Sequence, residues 1–243
     1  FGFELLKKLE PADSESGNEL ISPVSIQLSL GMTYNGAREE TRDSMKQALR
    51  FQGLSDEEIN QGAQNLMQLL SRDLSAIDIK PANSIWYREE YTVEPGFLQT
   101  NKNFYQAEIR PVDFNNNNTL DTINNWVNQK TGGNIPEIID RIQPNDFMIL
   151  INALYFKGIW QQKFDPDHTY QANFTRKDGT NFKVAMMKQK GNFREYKGEN
   201  IRIVELPYGK GDYSMVMGLP ARGSSTKELI ANLNTQTWQQ WMN

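Results

Sequence analysis

The 243-residue sequence predicts an α+β fold. Three observations lead there. Helical periodicity dominates the first 140 residues, β patterning dominates from 166 onward, and an apolar run at Phe147–Phe156 joins the two regions. Helices early and strands late give mixed α+β architecture, not an alternating α/β one. In the joining run nine of ten residues are apolar, too few for a membrane span and rich in β-branched and aromatic types. That is the signature of a strand buried on both faces. Asn152 interrupts it with a polar side chain that must find partners in a dry interior.

In chain order, a helix is predicted near 1–9 and a short strand near 19–21. Ser22 and Pro23 read as the cap and first residue of a helix over 23–33, with Val24, Leu28 and Met32 along one face. A further helix is expected over 38–50. Ser55-Asp-Glu-Glu58 forms a capping box before a helix whose apolar face carries Ile59, Ala63, Leu66 and Leu70. A strand near 77–88 and a helix near 95–105, opened by Pro95, come next. A helix ending near Thr131 then leads to the central strand at 147–157.

Beyond it, Asn173–Gly179 reads as a hairpin turn around Asp178-Gly179. Strands are predicted at 181–188, 191–196, 201–206 and 213–219. One helix or a pair spans 225–242, with Leu229, Leu233, Trp238 and Trp241 on its apolar side.

Composition narrows the function. Hydrophobic residues make up 38% of the chain, enough for a substantial core, and the net charge of −4 disfavours nucleic-acid binding. No segment has the apolar length of a membrane span. Without cysteine there are no disulfides or thiolate metal sites. The sole histidine, His168 in Asp165-Pro-Asp-His-Thr169, has no serine in a nucleophile-elbow context and reads as a surface residue. One histidine and no cysteine also leave no metal-ligand set, and no cofactor is expected. Glu39-Glu40, Glu57-Glu58 and Glu89-Glu90 are adjacent pairs that suit solvated faces better than acid–base chemistry. Gly209-Lys-Gly211 lacks the spacing of a phosphate loop and reads as a hairpin turn. Lys183, Lys188, Lys190, Arg194 and Lys197 accumulate in one β region, either as alternating exposed faces or as a polyanion site. Asn117 and Asn173 lie in glycosylation sequons.

Four segments carry a resemblance to a known family. Asn152-Ala-Leu-Tyr-Phe-Lys-Gly-Ile-Trp160 closely resembles the third strand of the main sheet in serpins, the serine protease inhibitor superfamily. Asn18-Glu-Leu-Ile-Ser-Pro-Val-Ser25 resembles the start of their helix B. Leu30-Gly-Met-Thr-Tyr-Asn-Gly-Ala-Arg-Glu-Glu-Thr41 and Trp126-Val-Asn-Gln-Lys-Thr-Gly-Gly-Asn-Ile135, with Ile138 and Ile139, agree in order and spacing, the latter with the end of helix F.

The resemblance implies a serpin fold, with N-terminal helices around a large central sheet plus additional antiparallel sheets. It also implies one incomplete domain over 1–243, because two main-sheet strands, the reactive loop and the closing strands have no counterpart here. Ser22, Ser25 and Asn152 would belong to the shutter beneath the sheet, a network the family completes with a histidine outside these residues. Trp160 would pack at the breach, where the loop first enters.

The implied activity is irreversible, single-use inhibition of a serine protease, with cysteine proteases left open. The alternative is a non-inhibitory serpin acting as carrier, chaperone or storage protein. The expected partners are the target protease and the C-terminal remainder of the fold, as a second chain or further sequence; no nucleic acid or membrane span is expected. The chain opens on helix-like Phe1–Leu6 with no leader pattern. An extracellular or periplasmic location is expected, with a cytoplasmic one left open.

Overall fold

The computed structural model describes residues 1–9, 18–176 and 178–243. The chain forms two compact units. One comprises Phe1–Leu74 and Asp78–Lys157, the other Ser75–Ile77 and Gly158–Asn243.

The first unit is built on a three-stranded sheet. Strands β1 (Ile77–Arg88), β2 (Glu108–Val112) and β3 (Met148–Gly158) lie in the order β2-β1-β3. β1 and β2 are parallel, with Trp86 opposite Arg110. As β1 is followed back from Arg88 to Lys80, its contacts on β3 advance from Phe147 to Tyr155, so those two strands run antiparallel. The helices are α1 (Gly2–Leu9), α2 (Pro23–Tyr34), α3 (Glu39–Ala48), α4 (Asp56–Leu70), α5 (Pro95–Tyr105) and α6 (Asn118–Lys130).

Side-chain alternation divides the sheet between two cores. Trp86, Ala82, Ile151 and Ala153 face α6, where they bury Ile123, Trp126 and Val127. Ile85, Met148 and Leu150 face Leu28 and Met32 of α2, Met67 of α4 and Tyr105 of α5. Tyr34, Leu49, Phe51 and Ile59 form a third, smaller cluster. The Ser55 capping box forms as predicted, its Oγ accepting from the Glu58 N–H while the Glu58 carboxylate accepts from the Ser55 N–H at 2.8 Å. In α4, Ile59 and Leu70 are buried, while Ala63 and Leu66 pack against the second core.

Two expectations need correction here, and one strand was not foreseen. Residues 19–21 form no strand: no described strand pairs with them, and Leu20 is 97% exposed. β2 escaped prediction because Glu108-Ile-Arg-Pro-Val is five residues with two charges and a proline, which carries little β signal. β3 is not buried along both faces. Ile151 and Ala153 are, but Phe147 and Phe156 are exposed, because the helices cover only its middle and β3 ends the strand order.

The second unit contains the hairpin β4 (Tyr170–Thr175)–β5 (Asn181–Met186) and an antiparallel sheet of β6 (Arg194–Lys197), β7 (Ile201–Tyr208) and β8 (Tyr213–Pro220). A one-turn 3₁₀ helix, Pro166–His168, precedes β4. Helices α7 (Thr226–Asn232) and α8 (Thr235–Met242) follow, so the stretch predicted as one helix or a pair is a pair. The predicted turn at 173–179 is later and tighter: 173–175 are strand, and Asp178 accepts from the Thr180 N–H at 2.8 Å. The strand predicted at 191–196 starts only at Arg194, because Lys190 and Gly191 are engaged by Gln162. The Gly209–Gly211 segment is the β7–β8 turn, with φ of +52° and +96° at its two glycines.

Candidate functional site

Ser22 sits at the start of α2. Its Oγ accepts from the Ser25 N–H at 3.3 Å and donates to the Ser25 Oγ at 2.8 Å. Pro23, with no N–H to leave unsatisfied, occupies the first helical position. The two predicted serines therefore come together as a local cap.

Asn152 projects from β3 on the α2 side of the sheet and donates from Nδ2 to the Asn83 Oδ1 of β1 at 2.8 Å. Asn83, 1% exposed, donates in turn to the backbone carbonyl of Tyr105 at 2.7 Å, with the Met67 sulfur at 3.5 Å. The Asn152 Oδ1 is sealed from solvent and has no donor among the described residues. No hydrogen bond among the described residues joins Ser22 or Ser25 to Asn152, so the three predicted residues form two separate pairs.

Sequence reasoning missed Asn83. Its signal was present, in the polar pair Asn83-Ser84 between apolar Ala82 and Ile85-Trp86: Ser84 is equally buried and accepts from the Trp86 indole N–H at 2.8 Å. The Tyr105 ring lies under Gly31, where a Cβ would stand 2.7 Å from the hydroxyl oxygen. Burial pushes the Tyr105 phenol well above its ordinary value, despite an opposing hydrogen bond from Asn35.

On the opposite face, Trp126 of α6 packs edge-on against Trp86, with centroids 6.2 Å apart. Its indole N–H donates to Glu108 at 2.9 Å, and Glu108 also pairs with Lys130 and Arg110. Burial pushes the Glu108 carboxyl up, but hydrogen bonds from Lys130 and Trp126 outweigh it and hold the group below its ordinary value.

In the second unit, Trp160 stacks on Tyr208 with centroids 4.3 Å apart and planes 15° from parallel, and Phe164 meets it edge-on. Backbone bonds from Gln161 to Pro207 (2.9 Å) and from Gly209 to Ile159 (2.8 Å) fix this register. Gly158 makes the approach possible, since a Cβ there would fall 2.5 Å from the Tyr208 ring.

His168 is exposed, with its Nδ1 3.8 Å from Asp165 and no serine hydroxyl bonded to it. The basic β-region separates into different environments. Arg194 and Lys197 are ion-paired, with Glu205 and Glu195 respectively, whereas Lys188 and Lys190 share a cleft with Lys163. Among the described residues, no group of three or more acidic, histidine or cysteine side chains could hold a metal, and no helix is long and apolar enough to cross a membrane.

Comparison with known proteins agrees with this architecture. The family described as Serpin (serine protease inhibitor) matches residues 1–243. Bovine leukocyte elastase inhibitor is 34% identical over 236 residues, covering 93% of this chain and 62% of that protein. The structure of the thermophilic serpin tengpin in its latent state is 33% identical with a TM-score of 0.88, over 97% of this chain and 64% of that one. Emu ovalbumin is 25% identical with a TM-score of 0.94, over 100% and 67%. The chain thus spans under two thirds of the length of the first two.

Proposed function

This chain belongs to the serpin family, and from that premise we propose that it is the scaffold of an irreversible, suicide-substrate inhibitor of serine proteases. The observation that carries the reading is the position of β3 at the end of the sheet order. Its outer edge has no strand beside it among the described residues, while Ile151 and Ala153 at its centre are buried. An edge strand with an apolar interior is a template for strand addition, of which serpin reactive-loop insertion is an established instance.

In this reading a protease serine attacks the scissile carbonyl of a reactive loop and forms an acyl ester, releasing the amine side of the cut bond. The freed loop then inserts beside β3 and carries the tethered protease with it, distorting its active site before water can cleave the ester. New ladder hydrogen bonds and buried apolar side chains supply the driving force.

Ser22, Ser25, Asn152 and the added Asn83 act as shutter residues that hold the sheet closed, and Trp160 marks the breach. The unpartnered Asn152 Oδ1 supports this, because it is an acceptor awaiting a donor. Residues 1–243 are one incomplete serpin domain, completed by further sequence or a second chain. Exposed Phe174, Met217 and Leu219 fit that arrangement.

The test is to incubate the whole protein with a panel of serine proteases and resolve the products on denaturing gels. A band resistant to SDS at the summed mass is expected. Clean cleavage by every protease without that band would overturn the inhibitory reading in favour of a carrier, chaperone or storage role.

A further inference from the structure

The second unit contains a cleft of about 770 Å³ between the segment leading into β4 and the segment following β5. Lys163, Lys188 and Lys190 line it against a single carboxylate, Asp165. All three lysines are exposed, and none has an ion-pair partner among the described residues. Nearby Lys197 and Arg202, by contrast, both pair with Glu195.

Gln162 folds over the backbone of Gly191, where any Cβ would lie 2.2 Å from its Oε1, and its Nε2 donates to the Lys190 carbonyl at 2.7 Å. Gln189, between the two lysines, also lines the cleft, with its Oε1 closed off from solvent. Tyr170, half exposed, opens β4 at the cleft, and β4 pairs only with β5, leaving its other edge without a strand among the described residues.

We propose that this cleft receives an extended acidic peptide segment. The three free ammonium groups call for carboxylates. A peptide backbone supplies N–H groups at strand spacing, and the free edge of β4 offers a ladder for them. Side-chain carboxylates and main-chain donors together therefore match the cleft. The proposal rests on the residues of this cleft and not on the β3 edge, so its test and that of the inhibitory reading fail independently.

Fluorescence anisotropy on the whole protein tests the assignment, with fluorescein-labelled hexaglutamate as probe and hexaglutamine as the uncharged control. Hexaglutamate should bind saturably, more weakly as salt rises, and hexaglutamine should not. Each of Lys163→Gln, Lys188→Gln and Lys190→Gln should weaken binding about threefold, and the triple variant at least about tenfold. Lys197→Gln should leave it unchanged. Binding that survives the triple lysine variant would overturn the proposal. So would a protein that binds dextran sulfate through these lysines but not hexaglutamate, which would assign the cleft to a sulfated polyanion.

Discussion

Asn152 gives its Nδ2 hydrogen to Asn83 across 2.8 Å between neighbouring strands, while its own carbonyl oxygen, shut off from water, receives nothing. The pair is thus satisfied on one side only. Replacing Asn152 by Leu would leave the Asn83 Oδ1 without a donor in a residue 1% exposed, a cost of about 1–3 kcal/mol. Part of that is offset by the added apolar surface and by removal of the orphaned Asn152 Oδ1, so a net loss of about 1 kcal/mol is expected in urea unfolding. A variant as stable as the parent would show that the bond contributes nothing to holding β1 and β3 together.

Gly158 and Tyr208 are related by the absence of a side chain. The nearest Tyr208 ring atom would be 2.5 Å from a Cβ at Gly158, and the ring cannot retreat freely because Trp160 stacks on it at 4.3 Å. Gly158→Ala is expected to cost about 1–3 kcal/mol through overpacking and to red-shift tryptophan emission as the stack opens. In a Tyr208→Leu background the same substitution should cost markedly less, and a double-mutant cycle measures the coupling. Additive effects would rule out this steric account.

These two relationships mark the limits of what the sequence disclosed. Local signals were plain: Ser22 with Pro23, the Ser55–Glu58 box and the Asp178-Gly179 turn each declare themselves within four residues. The Asn152 interruption of an apolar run also flagged a buried polar site. Its partner Asn83 lies 69 positions away, and no spacing rule reaches that far. β2 was hidden for the same reason, since it is a strand by pairing with β1 and not by its own composition. The basic residues between 183 and 197 show the converse. They look alike in sequence, yet carboxylates neutralise Arg194 and Lys197, while Lys188 and Lys190 have no ion-pair partner among the described residues.

Arg88 ties the loop before β3 to the end of β1. Only 7% exposed, it donates from Nε to the Asp146 carbonyl at 2.6 Å and from Nη2 to the Pro144 carbonyl at 2.8 Å, with Glu90 at 3.4 Å as counter-charge. A lysine is a point charge and cannot reproduce this planar fork. Arg88→Lys should cost about 1–3 kcal/mol, and Arg88→Met more, because both carbonyls lose a charged donor. Hydrogen exchange at residues 145–148 should accelerate in both variants. Unchanged protection there would mean that Arg88 does not fasten the loop.

Glu108 makes the docking of α6 sensitive to acid. Burial raises its carboxyl pKa, but Lys130, Trp126 and Arg110 together bring it below the ordinary value of 4.5. A carboxyl whose pKa is depressed by folding contributes stability that is fully present above the unfolded value. That contribution is lost as pH falls through the folded one. The window therefore lies below about pH 4.5. The side chain is about a third exposed, so solvent screening limits the effect to about 1 kcal/mol or less. Glu108→Gln keeps an acceptor for the Trp126 indole but not the charge that holds Lys130 and Arg110. Urea unfolding should find this variant less stable than the parent at pH 6, with the gap closing steadily as pH drops from 4.5 toward 3. A gap that stays constant across that range would mean that the Glu108 charge does not hold α6 to β2.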